Sequence, residues 1–395
     1  MDNLDLAPRR RFHPIFIPSV LLLGLAVAWS AFWFYAASQV DEKFDGWRAR
    51  EAKSGRTYEC ADRSVAGYPF RLEVRCARPV ISLNAQTAAQ LASRTPLVAR
   101  LEEILAVAQV YDPTRVIAEF KGPATLADSA QPPFATANWR IGRASASGLP
   151  SVPQQVSLEF DDPAVDRLAG GGQTPLLRAK HLEWHGRLAK GSTADNPVLE
   201  SVLLLQGASI QGVYPLLVEP FDADVRAQLR GLRDFSPKPW PERFREIQAA
   251  GGRIDFTHSR VQQGDTIIVA AGALGLTPSG HLDGELQMTI AGFERLVPAL
   301  GLDRILAEPP PSPDGQAPGG RAQDVNKVIG ALDRMIPGLG NVVRKNANAG
   351  VIAGLNLLGQ PSVLEGKPAR AMTLKFVDGA VVLGPFRVAQ TPPLF

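Results

Sequence analysis

The chain has 395 residues, with 42 Lys and Arg against 39 Asp and Glu and a net charge of +3. Both signs are interspersed, which excludes the concentrated basic patch that nucleic acid selects. With 36 Gly and 33 Pro punctuating short apolar runs, the composition excludes a bundle of long helices and suits many short strands joined by turns.

Residues 15–37, IFIPSVLLLGLAVAWSAFWFYAA, carry no formal charge. About 20 residues rising 1.5 Å each cross a hydrocarbon core of about 30 Å, so the run is long enough to span a bilayer as one helix. Arg9, Arg10 and Arg11 precede it and Asp41, Glu42 and Lys43 follow. The positive-inside rule then keeps residues 1–14 in the cytoplasm as a basic tail and exports the rest. Trp29, Trp33 and Tyr35 crowd the exit end, where amphipathic rings favour the headgroup level. Two other readings compete: a cleaved signal using Ala36 and Ser38, and a buried core helix. The length of the run opposes the first, and its missing polar face opposes the second.

Cys60 and Cys76 are the two cysteines. In an oxidising compartment the pair is most simply a disulfide closing a short loop. Metal or redox chemistry would need more ligands or a C-x-x-C spacing. Residues 40–56, charged and broken by Gly46 and Gly55, suggest a short helix or stalk. In residues 67–83, Phe70, Leu72, Val74 and Cys76 alternate with Arg71, Glu73 and Arg75, the period of a half-buried strand. A Gly67-Tyr68-Pro69 turn would fold it back on residues 58–60.

Val98, Leu101, Ile104, Leu105 and Ala108 recur at helical spacing behind Thr95 and Pro96, so a helix is expected over 95–109. The alternation of Ile104, Ala106, Ala108 and Val110 competes with it. Residues 116–120, 138–143, 156–160, 182–188 and 198–205 are expected strands, several separated by Gly-Pro, Pro-Pro or Asp-Asp-Pro breaks. Val225, Leu229 and Leu232 suggest a short amphipathic helix over 224–232. Pro237, Pro239 and Pro241 then forbid regular structure and mark an expected boundary between a first β-rich lobe, residues 38–240, and a second lobe, residues 241–395.

Residues 251–292 read as an antiparallel meander with short turns. Helices are expected over 293–306 and 325–335, with a flexible Pro/Gly loop over 308–320 between them. A hairpin about Asp378-Gly379 closes the chain.

Five blocks, GYPFRLEVRC (67–76), VYDPTRVIAEFKGPA (110–124), GGRIDF (251–256), GHLDGELQMTIAG (280–292) and VDGAVVLGP (377–385), resemble a membrane-anchored envelope family of Gram-negative bacteria, domain of unknown function 2125. The resemblance runs nearly end to end. It implies a single-pass inner-membrane protein whose bulk lies in the periplasm, and it brings no catalytic residues. More loosely, the serial Gly-x-Leu strands resemble AsmA-type envelope proteins, whose long curved sheets form apolar troughs for lipid. Fold alone does not fix function.

Chemistry is sparse. His181 and His185 in HLEWH have zinc-protease spacing, but Leu182 stands where the catalytic Glu belongs. On a strand, His181, Glu183 and His185 share one side, which reads most simply as a solvated polar face. Gly170-Gly171-Gly172 lacks the Gly-Lys-Ser/Thr of a phosphate loop, and Ser145 and Ser147 miss the G-x-S-x-G elbow. His258 and His281 stand alone in sequence. No catalytic residue, metal ligand or cofactor follows from these motifs.

The expected fold is mainly β with a few short helices: a transmembrane helix followed by a curved, mostly antiparallel sheet. An apolar sheet face must be covered by protein or by something else. Leu274, Leu276, Leu282, Leu286, Met288 and Ile290 are the expected face for lipid or another apolar component, unless helices 293–306 and 325–335 cover them as core. An envelope scaffold without a ligand is the alternative function, and a hydrolase the third.

Overall fold

The computed structural model describes residues 16–84, 96–128, 131–149, 151–193, 196–213, 215–233, 239–293, 359–383 and 386–395. The helices expected over 293–306 and 325–335 and the loop over 308–320 lie outside these, Phe293 apart.

One helix, α1 (Ile17–Lys53), contains the apolar run and continues unbroken through the expected stalk. Residues 38–53 hold no proline, and Gly46 alone costs only about 1 kcal/mol relative to Ala, too little to end a helix already propagating. Its first twelve residues are exposed, whereas from Trp29 onward α1 leans on the edge of the sheet.

The rest is mainly antiparallel β. Strands β1 (Arg56–Glu59), β2 (Asp62–Ala66), β3 (Arg71–Ala77), β4 (Val80–Leu83), β5 (Leu97–Arg100), β6 (Glu103–Gln109), β7 (Asp112–Lys121) and β8 (Ala124–Asp128) come first. They are followed by β9 (Ala135–Asn138), β10 (Ile141–Ser147), β11 (Gln155–Asp161), β12 (Ala164–Ala169), β13 (Gly172–Arg178), β14 (His181–Leu188), β15 (Leu199–Ile210) and β16 (Phe221–Leu229). After helix α2 (Trp240–Ala249) come β17 (Arg253–Gln263), β18 (Thr266–Leu276), β19 (Leu282–Ala291), β20 (Gln360–Leu364), β21 (Lys367–Val377), β22 (Ala380–Leu383) and β23 (Phe386–Gln390).

Two ladders share these strands. The short ladder runs β1-β4-β5-β8-β9-β12-β13. The long one runs β2-β3-β6-β7-β10-β11-β14-β15-β16-β17-β18-β19-β21-β22-β23, with β20 beside β21. The chain passes from one to the other at corners: Arg78-Pro79, Leu101-Glu102, Gly122-Pro123, Trp139-Arg140, Asp162-Pro163 and Ala179-Lys180. Prolines supply no ladder donor, and Arg78 and Asp162 take positive φ of 46° and 51°. Hydrogen bonding continues through the bend, with Asp162 N donating to Lys180 O at 2.9 Å and Lys180 N to Gln206 O at 2.9 Å. The breaks in the sequence are therefore corners within long strands as well as loops between them. The sheet is at most weakly curved.

Two expected helices are strands. Residues 97–109 form β5 and β6, because each finds partners on both sides. The corner at Leu101-Glu102 shifts the phase of the alternation, and two strands out of phase imitate helical spacing. β16 likewise replaces the helix expected over 224–232, since Val225 and Leu229, four apart, share a face in either conformation. Near the prolines a helix does form: α2 opens with Pro241 in its first turn, where a missing N–H costs nothing. Between residues 38–240 and 241–395 the pairing is continuous, as β16 and β17 run from Asp222↔Gln262 to Leu229↔Ile254.

Cys60 and Cys76 are bonded, with Cα atoms 5.4 Å apart. The turn at 67–70 does return the chain, placing β3 on β2, while Tyr58 pairs with Ile81.

Candidate functional site

Side chains alternate along a strand, so residues directly opposite across a ladder share a face. Following the register from β3 gives one row: Leu72, Ala108, Val116, Ala146, Val156, Gly186, Ser201, Ala227, Phe256, Gly272, Leu286, Leu374, Leu383. Only Ser201 is polar. The parallel row through Val74, Leu158, Leu203 and Met288 is equally apolar, with Ser259 its exception. Most of these side chains are half-buried and none is exposed. Ser259 Oγ is the one buried side-chain polar atom among the described residues without a hydrogen-bond partner.

At one end of this face α2 closes over β15 to β19. Ile247 is buried there, and Arg243 is buried with its guanidinium 2.9 Å from Glu246. Beneath the helix lies an apolar cavity of about 350 Å³ whose walls include Leu229, Phe244, Ile247, Leu274, Leu276 and Leu282. That volume and apolar lining match a small ligand pocket. Of the six residues expected on the apolar face, Leu274, Leu276 and Leu282 thus line a cavity, and Leu286 and Met288 are half-buried farther along β19. Ile290 is 2% exposed and packs as core, so the expectation of an open face does not extend to it. Sequence periodicity marked this face, but nothing local pointed to α2 as its cover.

The opposite face carries charge. His181 and His185 do share a side with Glu183: Glu183 Oε1 lies 2.6 Å from His185 Nε2, and His185 Nδ1 lies 2.8 Å from Ser157 Oγ. His181 Nδ1 lies 2.7 Å from Asp161 Oδ1. That hydrogen bond holds the His181 pKa above its usual value and the Asp161 pKa below it. Glu159, Asp161 and His181 bring three potential ligand atoms within 4.8 Å. Arg140, 2.8 Å from Asp161, already supplies a cation there. Gly170 and Gly171 make a tight turn at positive φ between β12 and β13. Ser145 and Ser147 pair with Ile117 and Arg115 in the ladder.

His281, alone in sequence, meets Ser279 and Asp378 in space. Ser279 Oγ lies 3.1 Å and Asp378 Oδ1 3.4 Å from the same ring nitrogen, Nδ1, and Ser279 donates to Asp378 at 3.1 Å. A nucleophile relay needs the serine and the acid on different nitrogens, so that the ring carries a proton between them. This group is a hydrogen-bonded turn linking the β18–β19 and β21–β22 loops.

The family model described as "Uncharacterized protein conserved in bacteria (DUF2125)" matches residues 33–392. No curated protein matches the chain.

Proposed function

We propose, from the premise that the chain belongs to the DUF2125 family of bacterial proteins, that it is a non-enzymatic envelope protein that binds lipid or another apolar component along its sheet. α1 is long and apolar enough to cross a membrane, and we read it as an inner-membrane anchor with the sheet in the periplasm. The basic residues before α1 and the Cys60–Cys76 disulfide support that orientation and an oxidising compartment.

The observation that carries the reading is the apolar row crossing the long ladder, which leads to the cavity under α2. Half-buried apolar side chains over so many strands leave surface that water covers at a cost of about 25 cal/mol per Å². An acyl chain covers it without that cost and demands no hydrogen bonds.

The test is extraction of the full chain in mild detergent followed by mass spectrometry of bound lipid. Phospholipid or fatty acid should co-purify with the wild type and be depleted in Leu276→Glu, which places a carboxylate in the cavity. Lipid-free protein that instead retains one stoichiometric protein partner would replace this reading with the scaffold.

A further inference from the structure

The turn between β2 and β3 presses its aromatic residues against the upper part of α1. Trp29 Nε1 donates to Pro69 O at 2.9 Å and Trp33 Nε1 to Arg71 O at 2.9 Å, while Ser30 Oγ and Tyr68 OH are 2.8 Å apart. Tyr68 meets Trp33 edge-on at 5.5 Å and stacks on Phe34 at 6.0 Å. Trp33 is 5% exposed, but Tyr68, Phe70 and, in the next turn, Tyr111 are 54%, 64% and 67% exposed.

We propose that the Tyr68–Phe70 loop and the adjoining Tyr111 turn are inserted into the bilayer beside α1, giving the sheet a second membrane contact. This rests on the reading of α1 as a membrane span. A hydrocarbon core of about 30 Å takes about 20 helical residues, which from Phe16 ends at Tyr35. Trp33 and Trp29 then lie about 3 and 9 Å below that boundary, and the loop bonded to them lies at their depth.

Four of the loop's carbonyl groups find donors within the protein, which is what a dry medium requires of each. Gly67 O accepts from Arg71 N, Pro69 O from Trp29, Phe70 O from Val110 N and Arg71 O from Trp33, and Pro69 has no N–H to satisfy. In lipid each unsatisfied group would cost several kcal/mol; in water the indole donors would be redundant. Exposed Tyr and Phe side chains at this level match the rings that favour the interface.

The experiment uses the full chain in vesicles of phosphatidylethanolamine and phosphatidylglycerol containing a phospholipid with a diazirine at the top of its acyl chain. Adducts are mapped by mass spectrometry after irradiation, with the 169–172 turn at the far end of the strands as background. Adducts on 67–71 and 110–112, comparable with those on 29–35, are expected. Adducts on 16–35 with only background at both turns would overturn loop insertion and leave the anchor standing. Background over 16–35 would overturn the anchor, and this inference with it.

Discussion

Gln287 and Met288 are neighbours in β19 and lie on opposite faces of one sheet. Gln287 accepts a hydrogen bond from Thr373 at 2.9 Å, on a face where Arg260 meets Glu365 at 2.6 Å and Arg143 meets Glu119 at 3.2 Å. Met288 lies between Ala270 and Met372 on a face with almost no polar group. The polar face is complete in itself, because its charges find partners within the chain or in water. The apolar face has no such self-sufficiency, and that difference directs attention to it as the site of function.

The comparison can be broken by substitutions that treat the faces alike. Leu286→Asp places a carboxylate between Gly272 and Leu374, where no cation stands across the ladder, and should cost about 3 kcal/mol or more in urea unfolding, whereas Gln287→Asp should stay within about 0.5 kcal/mol. Similar losses at both positions would mean that the faces are not distinct. Next in size is the staple at the edge beside α1: replacing Cys60 and Cys76 together by Ala should cost about 3 kcal/mol, read from the same transition. On the charged face, Arg260→Ala removes a partly exposed pair with Glu365 and should cost about 0.2–1 kcal/mol, a difference that high salt erases. A loss of several kcal/mol there would show that ion pairs, not the apolar face, hold the long ladder.

The smallest effect is the pH dependence of the His181–Asp161 contact. Because His181 is raised, its contribution is full below about pH 6.5 and fades as pH climbs through its folded value; because Asp161 is lowered, its part is full above about pH 4 and fades on further acidification. Stability from the pair is therefore greatest between those limits, and His181→Gln should flatten the alkaline side of the profile. An unchanged slope, or a His181 ring titrating at or below its ordinary value by NMR, would remove the contact from the account.

Which face β3, β11 and β19 present was legible residue by residue, since Leu72, Val74, Leu158 and Met288 alternate with polar or charged residues whatever their partners are. The length of α1 was legible for its apolar part only, because residues 38–53 carry helix-forming residues without an apolar stripe. Local spacing failed at 97–109 and 221–229, where hydrogen bonds to distant strands chose between two periods that the sequence allows equally. It also could not foresee that Ser279 would meet Asp378, 99 positions along.

By itself the amino-acid sequence determined the properties that depend on near neighbours in the chain: a helix long and apolar enough to cross a bilayer, strands with two unlike faces, and a turn at Gly67 that returns the chain. Tertiary structure alone decided how these faces join into one apolar row, where α2 leaves a cavity on it, and which polar groups meet across the sheet. The physical reason is register. Alternation tells a side chain which way to point, but only pairing between strands far apart in the chain sets what stands beside it.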